Sequence, residues 1–336
     1  MNDLHKKQPT VLLTAGGGSP IPWLIRTLRE KGVRVLTADM DPMAAGLYLA
    51  DRGFVIPAGK SDKFLPVLQR ICREEQVNAI IPLADEELIN ATELERDGII
   101  VLLPRKEFIE VCLDKYSLMR QLDSFGISVP RTRLAGQGLG SLNFPLILKP
   151  RQGRGSRGLK LINSEKEFHE ALENKLYSPD ELIVQQYIDG TEYTISVVIW
   201  RDGEVQAVVP KEIIYKQGIT RLAVTRKNLE IDTICRKIQD SLHADGPMNV
   251  QLRLDNSTGI PYVFEINPRF STTVTLTVRA GIEEVYGLLR QALYGREDYS
   301  FGNWEEGVVL IRQTFDEFIR EEDFNKMQIV NYGDAE

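Results

Sequence analysis

Between residues 10 and 103, short β-branched or leucine-rich runs alternate with longer amphipathic stretches, and no other feature narrows the fold so sharply. TVLLTAG precedes a helical stretch over 20–31, VRVLTAD one near 43–51, GFVIP one over 61–76 and NAIIPL one near 86–96, and IIVLLP closes the series. Repetition of strand, helix and strand implies right-handed crossovers and a parallel sheet covered on both faces. Pro20 and Pro22 near one helix start, with Gly32 just past its end, fit the usual asymmetry of helix termini.

After Pro104 the pattern changes. DKYSLMRQLDSF, at 114–125, sets Leu118, Leu122 and Phe125 on one helical face, and Gly126 follows as a stop. FPLILKP and LKLI then bracket a glycine-rich turn, RQGRGSRG. SEKE at 164–167 has capping-box spacing, which predicts a helix to about 176, and ELIVQQYI reads as another strand. Residues 128–188 therefore form a small α+β unit. From Glu192 onward antiparallel signals dominate: YTISVVIW and EVQAVVP flank Arg201-Asp202-Gly203, and VQLRLD and YVFEI flank NSTG after a helix over about 229–243. Helical stretches at 273–281 and 283–295 precede a strand at 307–313. There is no internal repeat or low-complexity segment.

Charge restricts the ligands. With 41 basic and 48 acidic side chains the net charge is -7, which disfavours broad electrostatic binding to nucleic acid or anionic lipid, so any anionic ligand must be met by local basic residues. Apolar runs such as LIL and VVLI fall far short of the roughly 20 residues that span a bilayer. The start, MNDLHKKQPTVLLTAGGG, lacks a signal-peptide core, and a cytoplasmic location is expected. Cys72, Cys112 and Cys235 are far apart and odd in number, with no C-x-x-C spacing for zinc or redox work, which predicts small buried or half-buried thiols. His5, His169 and His243 have no metal-like partner. At 43% hydrophobic and 26% charged, the 336 residues suit two or three packed globular units.

Three clusters could carry chemistry. Gly16-Gly17-Gly18 follows a strand, but a dinucleotide fingerprint would need glycine where Ile21 stands. Asp39 could still hold a ribose hydroxyl, so a dehydrogenase and a plain tight turn both remain open. The second cluster follows Lys149, where Arg151, Arg154 and Arg157 interleave with Gly153, Gly155 and Gly158; such a loop can approach phosphates closely, or can be a solvated hairpin tip. The third comprises Gln251 and Glu265 on the arms of one hairpin and Asn267 on the same face as Glu265. Convergent oxygens of this kind suit Mg²⁺ that also keeps phosphate ligands and waters, or form a capped Asn-Pro turn. Lys211, Lys216, Arg221 and Arg279 are candidates for the wall of an acceptor site, and Asp85 and Glu86 stand just past a parallel strand, where ligands collect.

The order Lys115, Lys149, the Gly/Arg loop, VQQYIDGTE, NVQLRLD and FEINPR resembles the ATP-grasp superfamily. The likeness is greatest to its carbamoyl-phosphate-synthase-like branch and to related single-chain carboxylate-amine ligases such as the pyrrolysine-pathway ligase. It implies an α/β and α+β ATP-grasp fold in three parts: a parallel-sheet pre-ATP-grasp domain (1–112), a central α+β subdomain with a lid loop (113–188), and a C-terminal antiparallel-sheet subdomain with the metal site (189–336). By resemblance, Lys115 and Lys149 reach the ATP phosphates, and Gly153, Arg154, Gly155 and Ser156 belong to the lid. Gln185, Gln186, Tyr187 and Ile188 form the linker that reads the adenine edge, and Glu192 takes the ribose. Gln251, Glu265 and Asn267 are the metal ligands, with Asn249 bracing Gln251. Arg269 faces the transferred phosphate; apart from the resemblance, Lys211 and Arg221 of the acceptor wall are added to Lys149 and Arg269 as candidate catalytic residues. Gln185 and Gln251 are neutral where the family commonly has acids.

What this implies is an ATP- and Mg²⁺-dependent carboxylate-amine ligase, with Mn²⁺ a permitted substitute, that works through an acyl phosphate and releases ADP and phosphate. Its partners would be a small carboxylate and an amine, with neither nucleic acid nor membrane involved and a homodimer allowed. A carbamoyl- or carboxy-phosphate-forming enzyme and a nucleotide-binding protein without turnover stand as alternatives. A single ATP-grasp unit, with no glutaminase-like segment and no biotinyl-lysine context, argues against a complete synthase or carboxylase.

Overall fold

The computed structural model describes residues 8–155, 157–173, 176–327 and 329–333. The chain forms two compact units. One comprises the chain up to Lys106, Thr272–Asn303 and the segment from Gln313 onward; the other comprises Glu107–Ser271 and Trp304–Arg312. The expected boundaries at 112/113 and 188/189 run linearly along the chain, whereas these units do not, because two late segments return to the first.

The first unit is built on a parallel sheet of β1 (Thr10–Leu13), β2 (Arg34–Asp39), β3 (Arg52–Val55), β4 (Ala79–Ile81) and β5 (Ile100–Val101), in the order β3-β2-β1-β4-β5. Val11, Leu12 and Leu13 are fully buried, as strands covered on both faces require. Helix Ile21–Glu30 turns Ile21, Leu24, Ile25 and Leu28 inward, and helix Phe64–Glu74 does the same with Phe64, Leu68, Ile71 and Cys72. The stretch near 86–96 is not one helix. It divides into Leu88–Thr92 and a tighter turn, Glu93–Asp97, which ends at Gly98 with φ of 76°. Thr272–Asn303 contributes helices Val274–Arg279 and Glu284–Tyr294. A strand without a sequence signal, Ile329–Asn331, adds in parallel beside β3.

The second unit contains two antiparallel sheets. β6 (Thr132–Leu134), β7 (Leu146–Pro150), β8 (Lys160–Ile162) and β9 (Leu182–Gln186) form the smaller one, in the order β6-β9-β7-β8. Helix Glu165–Leu172 buries Phe168 and Ala171 in the core of this subdomain. Ser164 accepts from the Glu167 N–H at 3.2 Å, but the Glu167 carboxylate returns to the Asn163 N–H at 2.9 Å, one residue earlier than a capping box. The helix ends at Leu172 rather than near 176, and residues 174 and 175 lie outside those described.

The larger sheet holds β10 (Gly190–Val198), β11 (Ala207–Gln217), β12 (Ile219–Thr225), β13 (Met248–Asp255), β14 (Pro261–Asn267) and β15 (Val309–Ile311), in the order β14-β13-β10-β11-β12-β15. Tyr193, Ile195 and Val197 of β10 share a core with Val250 and Leu252 of β13 and with Ile231, Ile234, Cys235 and Ile238 of helix Leu229–Leu242. Since side chains alternate along a strand, Glu192, Thr194 and Ser196 of β10 and Asn249, Gln251 and Arg253 of β13 belong to the opposite face. One face of this sheet is therefore apolar and roofed by a helix, and the other is polar.

No described helix is long and apolar enough to cross a membrane. Cys72, Cys112 and Cys235 are free and buried; burial pushes the Cys72 thiol up to about 12, with Asp97 adding to the shift.

Candidate functional site

The polar face of the large sheet and the end of the small one border a cavity of about 250 Å³ within the second unit. Lys115, Lys149, Gly153, Arg154, Gly155, Gln185, Gln186, Tyr187, Ile188, Glu192, Gln251 and Glu265 all line it. Residues separated by up to 150 positions in the chain thus meet at one place.

At one end stand two lysines that are both 7% exposed. Lys149 is delivered by β7, and Lys115 opens helix Lys115–Ser124 directly after its cap, Asp114. The Lys149 ammonium donates to the Phe264 carbonyl at 3.5 Å and lies 5.3 Å from the Phe264 ring. The Lys115 ammonium donates to the Gly153 carbonyl at 2.5 Å and sits 3.7 Å from the Glu265 carboxylate. Burial lowers Lys149 to about 8; Glu265 opposes that shift, and Lys115 and Lys216 add to it. A polyanion entering here would restore the proton that burial weakens.

The Gly/Arg loop leaves β7 along one side. Gly153, Gly155 and Gly158 have φ of 126°, 66° and 73°, in the region that side chains resist, so the loop's path depends on glycine. Arg154 and Arg157 line the cavity. Arg151 does not join them, because its guanidinium grips both oxygens of Asp114, at 2.7 Å from Nε to Oδ1. Ser156, expected in the lid, lies outside the described residues.

The opposite end is built from the chain leaving β9. Gln185 is 3% exposed and its amide donates to the Thr132 hydroxyl at 2.8 Å, which holds the side chain against β6. Ile147 and Ile188 supply apolar wall. Glu192 accepts from Lys216 at 2.8 Å and lies 3.6 Å from Arg253. Arg253 escaped sequence reasoning. It donates to the carbonyls of Ile188 and Gly190, at 3.3 and 3.2 Å, and its guanidinium carbon lies 5.3 Å from the Tyr187 ring centre. Its position two residues after Gln251 on a strand was the available signal. Lys216, anticipated on an acceptor wall, instead joins this cluster.

Gln251 stands opposite Glu265 and Asn249 opposite Asn267 across β13 and β14, with a register shift just beyond Gln251 that leaves Phe264 bulged. Asn249 does not brace Gln251; its amide bonds Thr194 at 2.8 Å and the Ile195 carbonyl at 3.0 Å on β10. Buried Arg269 donates to the Asn267 side-chain oxygen at 3.3 Å and to the Phe270 carbonyl at 3.1 Å. Among the described residues no group of three or more His, Cys, Asp or Glu gathers as a self-sufficient metal cage. One carboxylate with amide oxygens fits a hard cation that takes its remaining ligands from phosphates and water, and does not fit a soft one.

Asn267 and Arg269 are not among the residues that line the cavity, and neither are Lys211 and Arg221. Lys211 is fully buried, its ammonium 2.8 Å from the Ser196 hydroxyl, and Arg221 pairs through its backbone with Arg312 beside β15. In the first unit, the Asp39 carboxylate accepts from the N–H groups of Gly17 and Asp41, both at 2.8 Å, and so closes the glycine turn itself.

Residues 178–313 match the family described as ATP-grasp in the biosynthetic pathway with Ter operon, and residues 11–100 match the PylC-like N-terminal domain. The arginine-specific carbamoyl phosphate synthase large chain of Bacillus subtilis is 24% identical in an alignment of 275 residues that covers 74% of this chain and 25% of that protein. The carbamoyl-phosphate synthase of Methanobrevibacter smithii is 23% identical over 291 residues, 79% of this chain and 76% of its own. Among solved structures, N5-carboxyaminoimidazole synthetase of Staphylococcus aureus, complexed with ADP, superposes with a TM-score of 0.72 at 19% identity, over 90% of this chain and 82% of that one. The L-amino acid ligase of Bacillus licheniformis gives 0.67 at 20% identity, over 86% and 75%. The chain spans about a quarter of the length of the first two curated relatives it matches.

Proposed function

We propose, from the premise that the chain belongs to the ATP-grasp superfamily, that it is an ATP- and Mg²⁺-dependent ligase joining a small carboxylate to an amine through an acyl phosphate. The observation that carries this reading is the meeting of Lys115, Lys149 and Glu265 in one cleft that also holds the apolar side chains of Ile147 and Ile188 and the carboxylate of Glu192. Two buried ammonium groups suit a polyphosphate, and Ile147, Ile188 and the linker from Gln185 suit a purine ring.

The Lys115 and Lys149 ammonium groups offset charge that spreads over the transferred phosphoryl group, and Arg269, held toward Asn267, adds a third positive centre. Glu265 and Asn267, with Gln251, are the residues that would hold Mg²⁺, which when bound neutralises and orients the terminal phosphates. An oxygen of the substrate carboxylate attacks the terminal phosphorus as the bond to ADP breaks, and the amine then displaces phosphate to leave an amide. Arg154 and Arg157, drawn over the phosphates by loop closure, keep water from the acyl phosphate. Glu192, whose carboxylate lines the cleft beside Lys216 and Arg253, would accept from ribose hydroxyls. Mn²⁺ satisfies the same oxygen donors, and dependence on ATP suits a cytoplasmic site of action.

A carboxy- or carbamoyl-phosphate former is the second reading, favoured by the names of the relatives. The test is an ADP-release screen of carboxylic acids paired with amines, bicarbonate included, with hydroxylamine as trap. A hydroxamate with one ADP per product is expected, and ¹⁸O from labelled carboxylate should appear in inorganic phosphate. Release of AMP, or label in AMP, would overturn the acyl-phosphate mechanism; turnover with bicarbonate alone would favour the second reading.

A further inference from the structure

The Gly/Arg loop has three arginines that look alike in sequence, and one of them is held apart from the cleft. Four hydrogen bonds anchor Arg151. Its N–H donates to the Glu181 carbonyl at 2.8 Å, its carbonyl accepts from the Lys115 N–H at 3.1 Å, and its guanidinium takes both oxygens of Asp114. Asp114 is itself the cap of helix Lys115–Ser124 and accepts from the N–H groups of Tyr116 and Ser117 at 3.1 and 3.2 Å and from the Ser117 hydroxyl at 2.8 Å. Burial alone would raise Asp114, yet bonds from Arg151 and Ser117 hold its carboxyl below the ordinary carboxylate range. Two residues further on, Gly153 takes a φ of 126° and offers its carbonyl to the Lys115 ammonium.

We infer that Arg151 is a positioning residue that fixes Lys115 at the phosphate end of the cleft through Asp114 and sets the point from which the Gly/Arg loop moves. The inference rests on the reading of the cleft as an ATP site. Lys115 is held at both ends, its backbone N–H by Arg151 and its ammonium by Gly153 and Glu265. When the loop shifts, the ammonium exchanges the Gly153 carbonyl for a phosphate oxygen, while the helix start stays in place because its anchor lies upstream of the glycines. Two parallel N–H bonds to one carboxylate give an orientation that a single ammonium cannot reproduce.

The test uses the full chain carrying Arg151→Met, Arg151→Lys, Asp114→Asn and the Asp114→Asn/Arg151→Met pair. Asparagine keeps the cap acceptor and so preserves the helix while it discharges the pair. Binding of Mg²⁺ with a non-hydrolysable ATP analogue is expected to weaken about tenfold in each single variant, with no further loss in the double. In the nucleotide-free protein, trypsin should cut at Arg154 and Arg157 faster in Arg151→Met than in wild type, with Arg151→Lys close to Arg151→Met. Wild-type affinity and cleavage in these variants, full rescue by lysine, or additive losses in the double would overturn the inference. Failure of the wild-type protein to bind the analogue would instead overturn the ATP reading, and the cleavage comparison would still decide the anchor.

Discussion

Glu265 faces a buried lysine at 3.7 Å and is among the groups that hold the proton on another, so its removal reaches beyond its own oxygens. Glu265→Ala should retain the native circular dichroism spectrum and lose more than about nine-tenths of ATP turnover, a loss above ~1.4 kcal/mol of transition-state stabilisation. ADP release measures it, and a variant keeping more than a tenth of wild-type rate would show that the charge assignment is wrong. Single residues of this end were legible because Lys149 and Glu265 each stand near the end of an apolar strand, where alternation sets the face a side chain takes. Arg253 and the anchoring role of Arg151 were not, since nothing in a local pattern says which carboxylate a guanidinium will meet. Glycine spacing marked the loop as mobile and basic, but could not divide its arginines between ligand and scaffold.

Helix Leu229–Leu242 shows how an element serves the cleft without touching it. Its inward row, Ile231, Ile234, Cys235 and Ile238, packs on the face of the large sheet opposite the polar one, and so backs the strands that carry Glu192, Gln251 and Glu265. Asn228 caps it, accepting from the Ile231 N–H at 2.9 Å. Asn228→Ala should therefore cost about 1 kcal/mol in urea unfolding, while affinity for an ATP analogue stays within a factor of two of wild type, the margin of an ordinary titration. A large loss of affinity without loss of stability would contradict this separation of faces. Helices of this length were readable from 3.6-residue periodicity. The stretch near 86–96 was not, because its buried residues, Leu88, Ala91 and Leu94, recur every three positions, a spacing that one or two turns of α-helix and of the tighter 3₁₀ helix both satisfy.

At the scale of the molecule, the chain returns to its beginning. Ile329–Asn331 lies beside β3, the Tyr332 N–H donates to the Val55 carbonyl at 2.8 Å, and the Tyr332 hydroxyl donates to Glu74 at 2.9 Å while its ring stacks on Phe54. A chain ending at Met327 should lose about 2 kcal/mol of stability in the first unit and expose the β3 edge. An unchanged thermal midpoint would show the strand to be dispensable. Local order in the chain was enough to specify a parallel sheet and an antiparallel remainder, because periodicity and turn chemistry act over a few residues, and its motifs stand in an order that resembles the ATP-grasp superfamily. Folding alone decided that Lys115 meets Gly153 and Glu265, that Arg151 binds Asp114 and that a late strand completes the first sheet. Those contacts join residues far apart in sequence, and their energies depend on register and burial that no short window contains.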